Sequence, residues 1–220
     1  MPAFYDLSGV TEAPAEFKLT VDIFVERYKK AIAAGNGPTV VVGYDARGFV
    51  IGPPIALALQ IPFVLLRKAG KNPGPLVESS AYSKEYAEHQ PDRMCVRLGA
   101  IKPGDRVLLI DDLIATGGTA IAGFELCAAL GAGVHEFAAM IELPELGPDF
   151  PSPHPGVKMI RAWNEGKFKE TPIYTMVDSS TIHANRPKPD DPEGWAEASK
   201  TVDMKDAPAM LEKYPALLRQ

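Results

Sequence analysis

Cysteine is scarce in this chain: Cys95 and Cys127 are its only two, one in an expected strand and one in an expected helix. That count excludes a disulfide framework and suits reduced core thiols in a cytosolic or otherwise reducing compartment. An excess of positive charge is also missing, since 23 Lys and Arg face 28 Asp and Glu for a formal net charge of −5. A protein held to nucleic acid by phosphate neutralisation is not expected to look like this. No apolar run approaches the ~18 residues of a membrane span. There is no basic segment leading into an apolar stretch, and the ending Leu217-Leu218-Arg219-Gln220 is no peroxisomal signal. The expectation is a soluble, cytoplasmic protein with neither nucleic acid nor membrane as partner. Internal repeats are lacking too, and 220 residues suffice for one α/β domain with a substantial core and some surplus at the C-terminus.

What is present centres on Arg106 to Thr119, Arg-Val-Leu-Leu-Ile-Asp-Asp-Leu-Ile-Ala-Thr-Gly-Gly-Thr. Val107 to Ile110 is a continuous aliphatic run, the pattern of a strand buried on both faces of a parallel sheet. Asp111 and Asp112 are expected to end it. Thr116-Gly117-Gly118-Thr119 then predicts a tight turn, and Ala120 to Leu130 a helix. Strand, small-residue loop and helix start together make an anion site, because free backbone N–H groups and the helix dipole suit a phosphate. Neighbouring carboxylates repel each other unless hydroxyls or a cation occupy them. A phosphorylated sugar satisfies both halves, its phosphate in the loop and its vicinal hydroxyls donating to the acids. The bland alternative is a capped β-α turn with two solvated aspartates.

Upstream, Ser8 or Thr11 is expected to cap a helix carrying Phe17, Val21, Phe24, Val25 and Tyr28 at helical spacing. Gly35-Asn36-Gly37-Pro38 ends it, and Thr39 to Val42 predicts the first buried strand. The loop Gly43 to Phe49 lies where open parallel sheets bind ligands; a surface turn with an Asp45 to Arg47 contact is an equal reading. Pro53-Pro54 predicts the start of the next helix. Ile61 to Leu66 reads as a second strand, with Arg67, Lys68 and Lys71 at its end as either a polyanion site or a solvated cluster. Asn72 to Arg93 predicts a long lid loop or loose two-stranded flap, and Met94 to Leu98 the strand returning from it. Further strands are expected at Phe137 to Ile141 and Ile173 to Val177, an extended linker at Asn185 to Glu193, and one short helix within Ala196 to Leu218.

Several of these segments resemble the type I phosphoribosyltransferase family. The central run is similar to its phosphoribosyl-pyrophosphate (PRPP) binding motif and lacks the Gly-Lys-Ser/Thr ending of a nucleotide P-loop. Asp45-Ala46-Arg47-Gly48-Phe49 resembles the Asp-x-Arg-Gly-Phe loop of the adenine-using branch. Phe63 to Lys68 with Gly70 to Gly74 resembles its strand and basic loop, and Tyr82-Ser83-Lys84-Glu85-Tyr86 the Tyr-x-x-Glu-Tyr of its flexible loop. The resemblance runs from Ala3 to about Leu146, with spacing similar to a protozoan branch that carries a long C-terminal tail. It departs from the family in a hood that begins as early as Ala3, and in Phe4-Tyr5-Asp6 standing for the common Phe-Arg-Asp.

The resemblance implies an α/β fold: a doubly wound, mainly parallel sheet flanked by helices, with an N-terminal hood and a flexible active-site loop. Residues 1–180 would form that domain and 181–220 a proline-rich extension. It implies purine salvage, with the phosphoribosyl group of PRPP passing to adenine to give AMP and pyrophosphate. Arg47, Arg67, Lys68 and Lys71 would neutralise pyrophosphate; Asp111 and Asp112 would hold ribose hydroxyls and lie near Mg2+, which is kept mostly by substrate and water. Ala115, Thr116, Gly117, Gly118 and Thr119 would hold the 5′-phosphate. Glu85 would assist the proton movement and Tyr86 would pack nearby, with Phe4 as a hood over adenine and the backbone of Ala3 and Tyr5 beside it. A homodimer is implied as well. The alternatives are a phosphoribosyltransferase for guanine, hypoxanthine, xanthine or orotate, or a catalytically silent PRPP-binding regulator.

Overall fold

Short aliphatic runs bounded by glycine and proline alternate with helices along this chain, the pattern that folds as parallel βα units. The computed structural model describes residues 7–80, 92–143, 155–178, 181 and 204–213. Among them α1 (Ser8–Glu12) and α2 (Pro14–Ala33) precede β1 (Val40–Tyr44), α3 (Gly48–Leu59) and β2 (Phe63–Lys68). The chain continues through β3 (Leu76–Glu78), β4 (Met94–Arg97), β5 (Arg106–Ile114), α4 (Gly118–Ala129), β6 (Gly133–Glu142), α5 (Pro155–Gly166) and β7 (Ile173–Asp178). A 3-10 turn at Met204–Asp206 leads into α6 (Ala207–Lys213), a short helix of the kind expected there. None of the described helices is long and apolar enough to cross a membrane.

The seven strands lie in the order β3-β4-β2-β1-β5-β6-β7. Strands β2, β1, β5, β6 and β7 are parallel, while β4 and β3 add an antiparallel flap to the β2 edge. Alternate residues supply two cores. Val40, Val42, Tyr44, Val107 and Leu109 pack with Phe124 of α4 and Ile160 of α5, whereas Val41, Leu108 and Ile110 pack with Phe24 of α2 and Ile51 and Ile55 of α3. Each such side chain contributes about 1.5–3 kcal/mol by leaving water. The doubly wound, mainly parallel sheet expected from the motifs is therefore present, with helices on both faces.

Four local expectations are corrected. Strand β5 does not stop at the acids but runs through Asp111 and Asp112 to Ile114, because β6 offers partners as far as Glu142. Helix α3 starts at Gly48, so Pro53 and Pro54 lie inside it rather than at its start; burial of Ile51, Ile55 and Leu59 outweighs the backbone bonds that the prolines forgo. Ser8 and Thr11 cap no long helix: they fall in α1, where the Thr11 hydroxyl donates to the Ser8 carbonyl, and α2 begins instead with proline at its first position. Arg67 and Lys68 belong to β2 itself and pair with Cys95 and Met94 of β4.

One buried polar cluster ties α2 to the sheet. Glu136 of β6 is 5% exposed and accepts two hydrogen bonds from Arg27, each 2.7 Å, and one from the Tyr28 hydroxyl. Burial and the Glu136 charge push the Tyr28 hydroxyl far above its usual range. The Arg27 guanidinium also lies 4.0 Å over the Tyr174 ring. Removing one partner of a buried pair strands the other, and the two halves differ in how much water they reach. We expect Arg27→Ala, which leaves Glu136 uncompensated, to cost about 3 kcal/mol in urea denaturation. Glu136→Gln, which frees a half-exposed arginine, is expected to cost only about 1 kcal/mol.

Candidate active site

The chain builds β2 on one side of β1, then returns to build β5 on the other. Ligands of open α/β sheets bind where the strand order reverses in this way, beyond the carboxyl ends of the strands. Here the loops leaving β1 and β5 bound a cavity of about 420 Å3. Asp45, Ala46 and Arg47 come from the first loop, Asp111 to Ile114 from the end of β5, Ala115 to Thr119 from the turn, and Lys68 from the end of β2.

Glycine makes this geometry possible at two positions. A Cβ on Gly48 would meet the Ile110 carbonyl oxygen at 2.5 Å, so α3 begins flush against β5 only because that atom is absent. Arg47, just before it, is thereby carried to Asp112, with its Nε 2.8 Å from Oδ2. Gly117 holds φ at +87° and turns the chain from β5 into α4. No side chain caps α4, so its first N–H groups are left to a ligand at the cradle. The buried Tyr44 hydroxyl fixes the start of α4 from below by donating to the Ala120 carbonyl at 3.1 Å.

The electrostatics are tense. Asp112 is 3% exposed, and among the described residues its Oδ2 receives no directed hydrogen bond: Arg47 approaches at ion-pair distance but off the N–H axis. Asp111 keeps some exposure toward the cavity and accepts the Asp112 backbone N–H at 2.9 Å. Protein packed around its carboxyl, and then the neighbouring Asp112 charge, push it well above the usual carboxylate range. Among the described residues no cluster of three or more acids, histidines or cysteines stands ready to hold a metal. Asp111 and Asp112 could contribute to a hard cation only together with oxygens from outside the protein, and Asp112 Oδ2 has no directed hydrogen bond among the described residues.

Of the residues expected from the sequence, the cavity gathers Arg47, Lys68, Asp111, Asp112 and Ala115 to Thr119. Arg67 and Lys71 are not in its wall. Arg67 turns to Asp45, with Nε 3.5 Å from Oδ2, and its Nη1 donates to the Lys71 carbonyl. The alternative reading of a surface turn with an Asp45 to Arg47 contact is thereby replaced, since Asp45 pairs with Arg67 and Arg47 with Asp112. Ala3, Phe4, Tyr5, Glu85 and Tyr86 lie outside the described residues. The cavity adds Asp45, Ala46, Leu113, Ile114, Ala120 and Phe137. Asp45 is signalled by its place beside Arg47 at a strand end, whereas nothing in the sequence near Phe137 links β6 to this wall.

An acid whose carboxyl is held above its unfolded value binds its proton more tightly when folded. Asp111 therefore adds stability at low pH and removes it as pH rises from the unfolded value through the folded one. Asp111→Asn should raise the melting temperature of the ligand-free protein at about pH 8, with the gain vanishing near pH 4, where the carboxyl is largely protonated. Melting curves at the two pH values check this, and a gain independent of pH would contradict it.

The sequence profile of the phosphoribosyl transferase domain matches residues 7–147. Adenine phosphoribosyltransferase 1 of Triticum aestivum is 48% identical over 143 residues, 65% of this chain and 74% of that protein. The crystal structure of adenine phosphoribosyl transferase from Trypanosoma brucei, in complex with AMP, pyrophosphate and ribose-5-phosphate, superposes with a TM-score of 0.79. It is 35% identical, with 94% of this chain and 81% of that one covered. The adenine phosphoribosyltransferase of Leishmania donovani gives a TM-score of 0.76 at 36% identity, covering 94% of this chain and 82% of that one. The match spans both strand-end loops and strands β1 to β6, and the chain belongs to the phosphoribosyl transferase family.

Proposed function

We infer that this protein transfers the 5-phosphoribosyl group of PRPP to adenine, giving AMP and pyrophosphate. The observation that carries the reading is the cavity in which the Thr116 to Thr119 turn faces Asp111 and Asp112, with Arg47 and Lys68 on its rim. An anion cradle and two hydroxyl acceptors in one wall suit a phosphorylated sugar. The choice of base is supported by the relatives named for adenine. A smaller, mostly apolar cavity of about 120 Å3 also supports it: Leu7, Val10, Phe17, Ile51 and Met140 line it, and it shares Arg47 with the larger one.

In the proposed reaction N9 of adenine bonds to C1 of the ribose while the bond from C1 to pyrophosphate oxygen breaks, and the N9 proton leaves. Positive charge grows on the sugar and negative charge on the leaving group, so positioning and charge neutralisation carry the catalysis. Ala115 to Thr119 hold the 5′-phosphate, Asp111 and Asp112 accept the ribose hydroxyls, and Arg47 and Lys68 meet pyrophosphate. Arg67 and Lys71 act at longer range, Arg67 through its hold on Asp45. Mg2+ would supply charge neutralisation at the pyrophosphate and ribose oxygens, near Asp111 and Asp112. Glu85 is proposed to take up the base proton, with Tyr86 beside it and Ala3, Phe4 and Tyr5 around adenine.

The same reading carries a homodimer. Helix α3, Gly-Phe-Val-Ile-Gly-Pro-Pro-Ile-Ala-Leu-Ala-Leu, contains no polar side chain, and a helix apolar all round is normally covered. Yet Leu57 is 80% exposed, and Val50 of α3 and Leu65 of β2 are close to half exposed. A second copy would bury them under the commonest closed symmetry. A reducing, cytoplasmic setting is proposed on the strength of the two free, buried thiols.

Assaying adenine, guanine, hypoxanthine, xanthine and orotate with PRPP tests the reaction, and preference for any base but adenine would overturn it. Replacing Asp111 and Asp112 together with Asn should raise KM for PRPP at least about tenfold, since hydrogen bonds to charged groups contribute about 1.5–3 kcal/mol each. Glu85→Gln should lower kcat by about 10² or more while leaving both KM values near wild type. Leu57→Lys should shift light scattering from dimer to monomer.

A further inference from the structure

The segment beyond the family match ends up against the phosphate cradle. Helix α5 follows residue 147, where the match to the phosphoribosyl transferase domain stops, and its first turn packs behind the Ala115 to Gly117 backbone. A Cβ on Gly117 would lie 2.6 Å from the Gly156 carbonyl oxygen, and one on Gly156 would come still closer to the carbonyl oxygen of Ala115. Real Cβ atoms essentially never approach within 3.0 Å, so both glycines are required for this contact. Their reasons differ. Gly117 has a positive φ, while Gly156, in the first turn of α5, does not. Backbone freedom therefore does not account for glycine at 156, but close approach to the loop does.

The helix that brings Gly156 there is firmly seated. Ile160, one turn on, is fully buried and would touch a Cβ on Gly117 at 3.1 Å. Trp163 donates its indole N–H to Glu125 of α4 at 3.3 Å, and the Phe168 ring meets the Phe124 ring edge-on at 5.1 Å. The same α4 starts at Gly118 in the cradle. Ile160 thus ties the Gly156 end of α5 into the buried core, and the chain returns to α4 through Trp163 and Phe168 only after α5 leaves helical geometry at Trp163 to Glu165.

We propose that Gly156, through the contact of its backbone with Ala115 and Gly117, is a positioning residue that sets the shape of the 5′-phosphate cradle. This rests on the reaction inferred above. Hydrogen bonds to phosphate work over a donor–acceptor range of only about half an ångström, and moving the loop by several tenths of an ångström spoils them. The cost falls on PRPP binding and leaves the base site alone.

The test is Gly156→Ala, with Met159→Ala on the exposed face of the same helix as control. Gly156→Ala should raise KM for PRPP about tenfold, the equivalent of one charge-assisted hydrogen bond, with kcat at saturating PRPP and KM for adenine within about threefold of wild type. A merely structural role would lower the melting temperature and the active fraction without moving KM. Ile160→Val, a milder change in the same backing, should raise KM for PRPP by about two- to threefold and serves if Gly156→Ala does not fold. Calorimetry with ribose 5-phosphate supplies a readout besides turnover, and Gly156→Ala should weaken its binding about tenfold. Wild-type KM and wild-type ribose 5-phosphate affinity in the variants that fold would overturn the role of Gly156 while leaving the reaction standing. A wild-type protein that turns over no base would overturn the reaction, and calorimetry would still decide the role of Gly156.

Discussion

The parallel pairing of β1 with β5, Val40 to Gly43 beside Val107 to Ile110, is the constraint on which the site depends. These strands are separated in sequence by α3, β2 and the β3–β4 flap, so their pairing forces the chain to reverse direction across the sheet. That reversal leaves two strand ends side by side with their loops diverging, and the opening between them is the cavity. The seam is dry, with Val41, Val42 and the run from Val107 to Ile110 fully buried. Backbone pairing alone would not bring the loops near enough to cooperate. Gly48 does that by letting α3 touch Ile110, which places Arg47 on Asp112.

An acidic protein with a site for a polyanion is not a contradiction once charges are followed locally. The net charge of −5 is spread over the chain, while the cavity holds Arg47 and Lys68 beside Asp45, Asp111 and Asp112; Asp45 is paired with Arg67, Asp111 is pushed up in pKa, and Asp112 Oδ2 has no directed hydrogen bond among the described residues. Burial and the neighbouring Asp112 charge make the ionised form of Asp111 costly to the fold. A sugar that brings hydroxyl donors to the acids and phosphate oxygens to the cations and N–H groups relieves both tensions at once. In the proposed reading, what the ionised Asp111 costs the fold is recovered as affinity for a molecule that carries both signs of complementarity.

How much of this can be read from the sequence follows from the range of the forces. The Val107 to Thr119 unit is legible because its strand, turn and helix are adjacent in sequence and each obeys a local rule. The doubly wound sheet follows from the alternation of such units. Misreadings arise where a distant partner overrides a local preference. Pro53 and Pro54 argue locally for a helix start, but the apolar face of α3 and the contact of Gly48 with β5 begin the helix a turn earlier. The acids at 111 and 112 look like a strand end, yet β6 continues to pair beyond them. Arg67 is as basic as Lys68, and only the fold sets it against Asp45 and outside the cavity wall. No local pattern could reveal Phe137 as a cavity residue, because its strand reaches the site by pairing with β5.

The cradle illustrates the same division within a single site. In the proposed reading its donors lie in Thr116 to Thr119, and a motif points to them, but a motif does not fix their positions to the few tenths of an ångström that phosphate recognition demands. That precision comes from what stands behind the turn. Tyr44 from β1 holds the first turn of α4 from one side, and Gly156 and Ile160 from α5 press on Gly117 from the other. Two segments far apart in sequence, β1 and α5, thus converge on one loop whose own residues are small and conformationally free. A turn built from Thr-Gly-Gly-Thr gains close approach to its ligand at the expense of stiffness. The stiffness must then be supplied from outside, which is why the supporting residues are large or backbone-to-backbone and fully packed while the loop itself is neither.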